Sequence, residues 1–459
     1  MSSVTAMLRF RALCALLAFA APLAAQAPAD SAILATIKAR VDVGSYAGVA
    51  VGVVAKDGTR RVVAYGPSAG VQPFDGHTVF EIGSITKTFT AAILADMVAK
   101  GEVKLDDPVA SLLPAGTVLP QRDGKQITLL DLATQSSGLP RMPDNFKSKD
   151  AANPYADYTV AQMYEFLGRY QLPRGIGEKY EYSNLGVGLL GHALALRAGM
   201  DYEALVTGRV LKPLGMKDTR ITLSTSMRAH LAPGHTPDGK PAGNWDLPTF
   251  AGAGALRSTV NDMLIYLRAN IDSTSRPLGR TLAMTHSERR AGSTPAVTMG
   301  LAWHRLKSPA GRTIVMHDGG TGGYRTFAGY DEATGQGVVV LANTSNDVSI
   351  LGLHLLDGSI PLPPLPKPHT EITLPAETLD RYVGTYELAP TFALVITREA
   401  AQLYAQATGQ GRFAVFPEAE SEFFARITNL QISFIRDGTG AVTGLVLHQN
   451  GVDRPAKKK

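Results

Sequence analysis

Three short segments of this chain carry side chains suited to acyl-transfer chemistry. The first is Phe80-Glu81-Ile82-Gly83-Ser84-Ile85-Thr86-Lys87-Thr88-Phe89-Thr90. Its Ser84 and Lys87 stand one helical turn apart, so on a helix both side chains project from one face. A serine hydroxyl at its free pKa is a poor nucleophile. A lysine whose pKa is lowered by desolvation can serve as its base. At a helix start the Ser84 backbone N–H also lies near the positive end of the helix dipole, where a developing oxyanion is favoured. Taken alone the pair carries little, because Ser-x-x-Lys arises by chance in long chains and a serine at a helix start is commonly a cap.

The second segment is Glu178-Lys179-Tyr180-Glu181-Tyr182-Ser183-Asn184-Leu185-Gly186, ahead of an apolar helix from Val187 to Leu196. Beside a lysine ammonium a phenolate is stabilised, so Tyr182 can act as a general base for Ser84. Asn184 can donate to Lys87 or to a substrate amide. The plainer reading is a Ser or Asn cap with a buried tyrosine. The third segment, His317-Asp318-Gly319-Gly320-Thr321-Gly322-Gly323-Tyr324, follows the run Ile314-Val315-Met316. Its glycines let the backbone approach a ligand closely. The Gly320 N–H can then face that of Ser84 as a second oxyanion donor. His317 can bind a substrate carboxylate when protonated, or hydrogen-bond when neutral. A glycine-rich hairpin turn is the plainer reading.

These segments need elements to position them. Residues 31–41 predict a helix, with Ile33, Leu34, Ile37 and Val41 on one stripe. Ala47 to Val54 and Arg61 to Tyr65 are apolar, β-branched runs split by the hairpin signal Asp57-Gly58. A helix is expected from the Ser84 segment through Ala99, another over Ile127 to Thr134, and a helical middle over 157–232. Strands are expected at 299–305, 312–317, 324–331 and 337–342. The fold class is therefore α/β (α+β). An antiparallel sheet is assembled from both chain ends and flanked by helices, with a mostly helical second lobe. Five prolines in the nine residues 360–368 make a semi-rigid linker, taken as 360–370. From 371 to 459 short apolar runs recur at close to ten-residue intervals between turn signals. That is the pattern of a small all-β meander or barrel.

The 459 residues suffice for two or three domains. Arg9 and Arg11, the apolar run Ala12 to Ala21 and the small residues after it read as a secretory signal over 1–27. An exported protein, periplasmic or secreted, is expected, with no membrane attachment after cleavage. The one cysteine, Cys14, lies inside that signal, which leaves no disulfide, cysteine nucleophile or thiolate metal site in the remainder. Of the net charge of +5, Arg9 and Arg11 supply two, and Lys457, Lys458 and Lys459 end the chain as a basic tail of the solvated kind. Nucleic-acid binding is not indicated. The ten histidines show no metal-ligand spacing, so neither a metal nor another cofactor is expected. The sequence leaves the oligomeric state open.

Taken together and in this order, the three segments resemble the serine β-lactamase and penicillin-binding-protein superfamily, in its class C branch with the class VIII esterases and D-amino-acid peptidases. Gly101-Glu102-Val103-Lys104-Leu105-Asp106-Asp107-Pro108, Asp131 to Pro140 and Gly254 to Met263 also look like class C sequence, so the likeness extends over roughly 31–355. It implies a hydrolase domain over 28–359, with Ser84 as the acylated nucleophile. Lys87 and Tyr182 would share the proton and later activate the deacylating water. Asn184 would orient Lys87 and the substrate amide. Ser84 and Gly320 would form the oxyanion hole, and His317 and Gly319 would lie on the substrate side. The segment 371–459 resembles a lipocalin-like domain. The implied substrate is a small molecule: a β-lactam first, with an ester or D-amino-acyl peptide as the alternative, and a non-catalytic penicillin-binding sensor after those. One departure stands out. The family's third motif carries Lys-Thr-Gly where this chain has His317-Asp318-Gly319, which removes a fixed cation and adds a negative charge.

Overall fold

Val49–Val54 (β1) and Arg60–Tyr65 (β2) form an antiparallel hairpin, and the Asp57 carboxylate accepts the Thr59 N–H at 2.8 Å in its turn. The β1 strand is buried along its whole length, as an all-apolar central strand must be. Six more strands complete the sheet: Arg290–Ala291 (β3), Val297–Met299 (β4), His304–Lys307 (β5), Thr313–Gly320 (β6), Arg325–Asp331 (β7) and Gly337–Ala342 (β8). The order is β2-β1-β8-β7-β6-β5-β4-β3, all antiparallel, so β1 from the start of the chain pairs with β8 from much later. The computed structural model describes residues 28–459 apart from 67–72, 273–277, 366–368, 390–391, 427–429 and 450–451. The expected signal at 1–27 and Cys14 lie outside the described residues.

Strand alternation sorts side chains to two faces. Val49, Val51, Val53, Val338 and Val340 face the helices Asp30–Asp42 (α1) and Ser349–Leu356, which bring Ile33, Ile37, Leu351 and Leu355. Ala50, Val54, Val339 and Leu341 face the helix Val260–Ile271 through Met263, Leu264 and Leu267. That second core continues into the helical lobe. There Thr86–Ala99 and Asn184–Ala198 are buried on nearly all sides, as helices apolar all round must be. Among the described residues no helix is long and apolar enough to cross a membrane.

Three expectations need correction. The strand expected at 299–305 is two strands, β4 ending at Met299 and β5 starting at His304. The chain reverses between them with Ala302 in the left-handed region (φ 60°), and Gly300 N–H bonds to Trp303 O at 2.9 Å. The helical middle is interrupted between the helix Val160–Arg169 and Asn184, where Pro173, Gly175 and Gly177 break the helix and free Tyr180 and Tyr182 to point into the site. The terminal lysines are largely solvated, as expected, but they do not form a tail. Val452–Lys458 is the last strand of a closed eight-stranded barrel that starts at Gly384–Ala389, and Lys458 pairs with Tyr386 to close it. This strand escapes sequence reading because its alternation is nearly all polar. Only Ala456 turns inward to burial.

The barrel's strands pair each with its chain neighbour, the up-and-down arrangement that abolishes free edges. Its interior is packed with Tyr382, Tyr386, Leu394, Leu403, Phe423 and Phe434. Deleting residues 452–459 removes one ladder partner from each of Gly384–Ala389 and Val442–Gln449 and reopens the barrel. In differential scanning calorimetry the deletion is expected to abolish the barrel's cooperative transition while Ser84-dependent turnover survives. An unchanged two-domain melt is the contrary result.

Candidate active site

The short strand Val79–Glu81 pairs with Arg257–Thr259 and carries the chain toward the edge of the sheet. Gly83 then adopts φ +49°, and Gly83–Ile85 forms a 3₁₀ turn that runs into the helix Thr86–Ala99, with Ser84 at the junction. A Cβ on Gly83 would come within 2.7 Å of the Gly320 nitrogen, and one on Gly319 would collide with the Ile82 carbonyl. The first and third motifs therefore touch backbone to backbone because both are glycine there.

The ladder of β6 then sets the direction of a donor. Thr321 N–H bonds to Tyr324 O at 3.0 Å, so the next pair, Gly320 and Arg325, falls in the non-hydrogen-bonded register. The Gly320 N–H points away from β7, toward the edge that β5 leaves open beyond Met316, where Gly83 and Ser84 lie. Two backbone N–H groups can thus flank one carbonyl oxygen.

Lys87 is fully buried. Its Nζ lies 2.9 Å from Ser84 Oγ, 2.9 Å from Asn184 Oδ1 and 2.7 Å from the Ala253 carbonyl oxygen. Burial pushes its pKa well below the ordinary lysine value, with the Arg141 charge adding to that and Asp318 opposing it. Two of the three partners are carbonyl oxygens that only accept. A neutral amine spends both N–H groups on them, and its lone pair is left facing the Ser84 hydroxyl, the one partner able to donate.

The second motif is tied down by its own backbone. Ser183 caps the helix Asn184–Ala198 by accepting the Gly186 N–H at 2.8 Å, and its hydroxyl donates to Pro140 O at 2.6 Å. Capping and site placement are compatible: Ser183 caps, while Tyr182 before it bonds with Ser84 and Asn184 after it accepts from Lys87. The Tyr182 hydroxyl bonds with Ser84, and its ring lies 4.9 Å from Lys87 Nζ. Burial raises the Tyr182 pKa above the usual phenol value. Burial thus works against both charged forms, the Lys87 ammonium and the Tyr182 phenolate.

His317 departs furthest from expectation. It is buried, its Nδ1–H donates to the Asp318 carbonyl at 2.6 Å, and burial followed by the His304 and Lys87 charges holds its pKa well below the usual histidine value. It sits behind Tyr182, with ring centroids 6.4 Å apart, and against His304 at 5.0 Å. It cannot offer a cation to substrate. A cavity of about 410 Å³ opens over Ser84, lined by Tyr182, Asn184, Gly319 and Gly320 but not by His317. The exposed Asp318 does line it, with no hydrogen-bond or ion-pair partner for its carboxylate among the described residues.

Sequence reasoning missed Arg141, Tyr155, Trp245, His304, Arg325 and Asp347, which complete the wall. Arg141 had one available signal, its position directly after Ser136-Ser137-Gly138-Leu139-Pro140. The others come from distant loops or, for His304 and Arg325, from the first residues of β5 and β7, and had none. Among the described residues no group of three His, Cys, Asp or Glu side chains is placed to hold a metal.

Comparison with known proteins gives a consistent picture. A family model described as Beta-lactamase matches residues 33–352, and one described as a domain of unknown function (DUF3471) matches 368–456. A beta-lactamase of Pseudomonas fluorescens is 28% identical over 342 residues, covering 67% of this chain and 91% of that protein. The D-alanyl-D-alanine-carboxypeptidase/endopeptidase AmpH of Escherichia coli K12 is 32% identical over 292 residues, 59% of this chain and 73% of that protein. The crystal structure of a class C beta-lactamase from Rhodobacter sphaeroides aligns with a TM-score of 0.60 at 25% identity, covering 69% of this chain and 95% of that one.

The protonation state of Lys87 has a measurable signature. Unfolding returns Lys87 to water, where it binds a proton that the folded chain excludes. Stability therefore rises with pH between the lowered folded pKa and the ordinary lysine value near 10.4. Denaturant unfolding of wild type and Lys87→Met at pH 7, 8 and 9 is expected to show the wild type gaining on the variant. The gain should approach about 1.4 kcal/mol per pH unit. A difference that stays flat means that Lys87 is charged in the folded protein.

Proposed function

This chain belongs to the Beta-lactamase family, which makes it a serine hydrolase of the β-lactamase and penicillin-binding-protein superfamily, and from that premise we propose a specific reaction. Ser84 attacks an amide or ester carbonyl and forms an acyl-enzyme. The observation that carries this reading is the Lys87 amine, 2.9 Å from Ser84 Oγ with its two N–H groups engaged elsewhere.

The proton count then closes. As Ser84 attacks, its proton passes to Lys87, and the oxyanion forms between the Ser84 and Gly320 N–H groups. The scissile C–N bond breaks as the leaving nitrogen takes the Tyr182 proton. The acyl-enzyme then holds a Lys87 ammonium beside a Tyr182 phenolate, each stabilising the other, with Lys87 Nζ 4.9 Å from the centre of the Tyr182 ring. An incoming water gives its proton to Tyr182. The released Ser84 oxygen recovers its own from Lys87, and the resting state returns. Asn184 holds Lys87 through both half-reactions.

The substrate reading moves with the third motif. Without a cation on His317, and with the free Asp318 carboxylate in the cavity, D-amino-acyl peptides fit better than simple anionic β-lactams, since a peptide can bring an ammonium to Asp318. β-Lactam hydrolysis is the second reading, favoured by the beta-lactamase relatives, and an esterase remains an outcome of the test. The N-terminal signal supports action outside the cytoplasm.

Steady-state turnover of a D-Ala-D-Ala peptide, nitrocefin and p-nitrophenyl butyrate by wild type and Ser84→Ala tests the reading. Peptide release lost in the variant is expected. Nitrocefin turnover without peptide turnover moves the protein to the β-lactamase reading, and turnover that survives in Ser84→Ala removes Ser84 as the nucleophile. Asp318→Asn is expected to lower the nitrocefin KM several-fold by removing a repulsive charge, roughly what a like charge at close range costs. A KM that stays put or rises argues against Asp318 facing the substrate.

A further inference from the structure

A site that handles a carboxylate-bearing substrate needs a cation near the nucleophile, and the cations of this cavity can be taken in turn. Lys87 is sealed under Ser84 and occupied by three partners. His317 lies behind the cavity with Nδ1 spent on the Asp318 carbonyl. His304 is partly buried, with Nε2 against the Tyr180 hydroxyl at 3.2 Å. Arg325 is turned onto the backbone, donating to Thr321 O at 3.0 Å and Tyr324 O at 3.2 Å.

Among these groups Arg141 alone has every side-chain donor unengaged among the described residues, whereas Arg325 is half-buried and already bonded through Nη1. Its side chain is exposed and lines the cavity. The guanidinium carbon lies 5.0 Å from the centre of the Tyr182 ring, and the group makes no hydrogen bond or ion pair among the described residues. Its backbone is fixed where it matters: the Arg141 carbonyl accepts the Asn184 N–H at 3.0 Å and the Leu185 N–H at 3.3 Å, so it caps the helix that follows the second motif. The cation is thus tethered to the element that carries Tyr182 and Asn184.

We propose that Arg141 is the substrate-carboxylate anchor of this enzyme, a specificity residue that takes over from the third motif the role its missing lysine leaves vacant. A planar guanidinium resting on an aromatic face presents its N–H fork edge-on, the geometry that reads a carboxylate with two parallel hydrogen bonds. Tyr182 serves as the platform, so the carboxylate is held beside the group that protonates the leaving nitrogen. The substrate class this selects is an amide whose leaving portion carries a carboxylate, such as a peptide with a free C-terminus. The inference rests on the acyl-enzyme reading given above.

The test compares substrates that differ only in that carboxylate. One pair is an N-acetyl D-Ala-D-Ala peptide and its C-terminal amide; the other is a cephalosporin and its methyl ester. Turnover by wild type, Arg141→Gln and Arg141→Lys is measured on the plateau of the pH profile. The expected result is a preference for the acid over its neutral partner that falls about tenfold or more in Arg141→Gln, through KM rather than kcat, with part recovered in Arg141→Lys. That size follows from losing a charged hydrogen-bonded pair. A preference unchanged in Arg141→Gln, with turnover still dependent on Ser84, overturns the anchor and leaves the acyl-enzyme reading standing. Absence of turnover on both pairs by wild type overturns both.

A second readout separates the anchor from a merely structural role. The charges and titrating groups around Lys87 are Arg141, Asp318, Tyr182, His304 and His317. Removing the one permanent cation among them eases protonation of Lys87, so the acid limb of the profile is expected to move to higher pH in Arg141→Gln and stay in place in Arg141→Lys. An acid limb that does not move in Arg141→Gln places the guanidinium away from the reacting groups and overturns the proposal.

Discussion

Lys87 is sealed from water at the meeting point of the sheet and the helical lobe, and burial there shifts a primary amine toward its neutral form. Much of the architecture follows from keeping it there. The helix Thr86–Ala99 is buried on nearly every side, which demands apolar partners from Asn184–Ala198 and from the 251–254 turn. The same two neighbours supply the amine's acceptors, Asn184 Oδ1 and the Ala253 carbonyl. Packing and chemistry are thus one arrangement. The contacts that exclude water also use up the N–H groups and leave a lone pair for Ser84.

Dehydration also explains why the neighbouring groups read differently in the fold than in isolation. Tyr182 and His317 share the environment of Lys87, and each is driven to its neutral form. Burial thus disfavours charge at the centre of the site, while the acidic side chains Asp318 and Asp347 and the arginines Arg141 and Arg325 line the cavity wall. In the proposed reaction, charge separation appears only once Ser84 has given up its proton. A low-dielectric centre makes the resulting ammonium and phenolate strongly interdependent.

The contact between the first and third motifs is steric in origin. Gly83 and Gly319 have no side chains at the points where the two backbones cross, and the open edge of β6 beyond Met316 leaves Gly320 N–H without a strand partner. A sheet edge ordinarily invites unwanted pairing. Here it is covered by the turn that carries Ser84. The C-terminal barrel meets the same problem by closing on itself, with its last strand pairing to its first.

The sequence by itself determined most of the elements and pointed to the proposed reacting groups. Alternation placed β1, β2, β7 and β8, apolar periodicity placed α1 and the Ser84 helix, and the three motifs named Ser84, Lys87, Tyr182, Asn184 and Gly320, because those signals depend only on residues near one another in the chain. The reversal at 300–303 was illegible, since nothing in Gly300-Leu301-Ala302-Trp303 resembles a turn until Ala302 takes a left-handed backbone. The closing strand Val452–Lys458 was illegible because it buries a single small residue. Tertiary structure alone decided which groups are charged, that His317 lies behind the cavity, and that Arg141 lies over Tyr182. Those facts depend on which distant segments exclude water from a side chain, and dehydration is a property of the assembled volume rather than of any stretch of sequence.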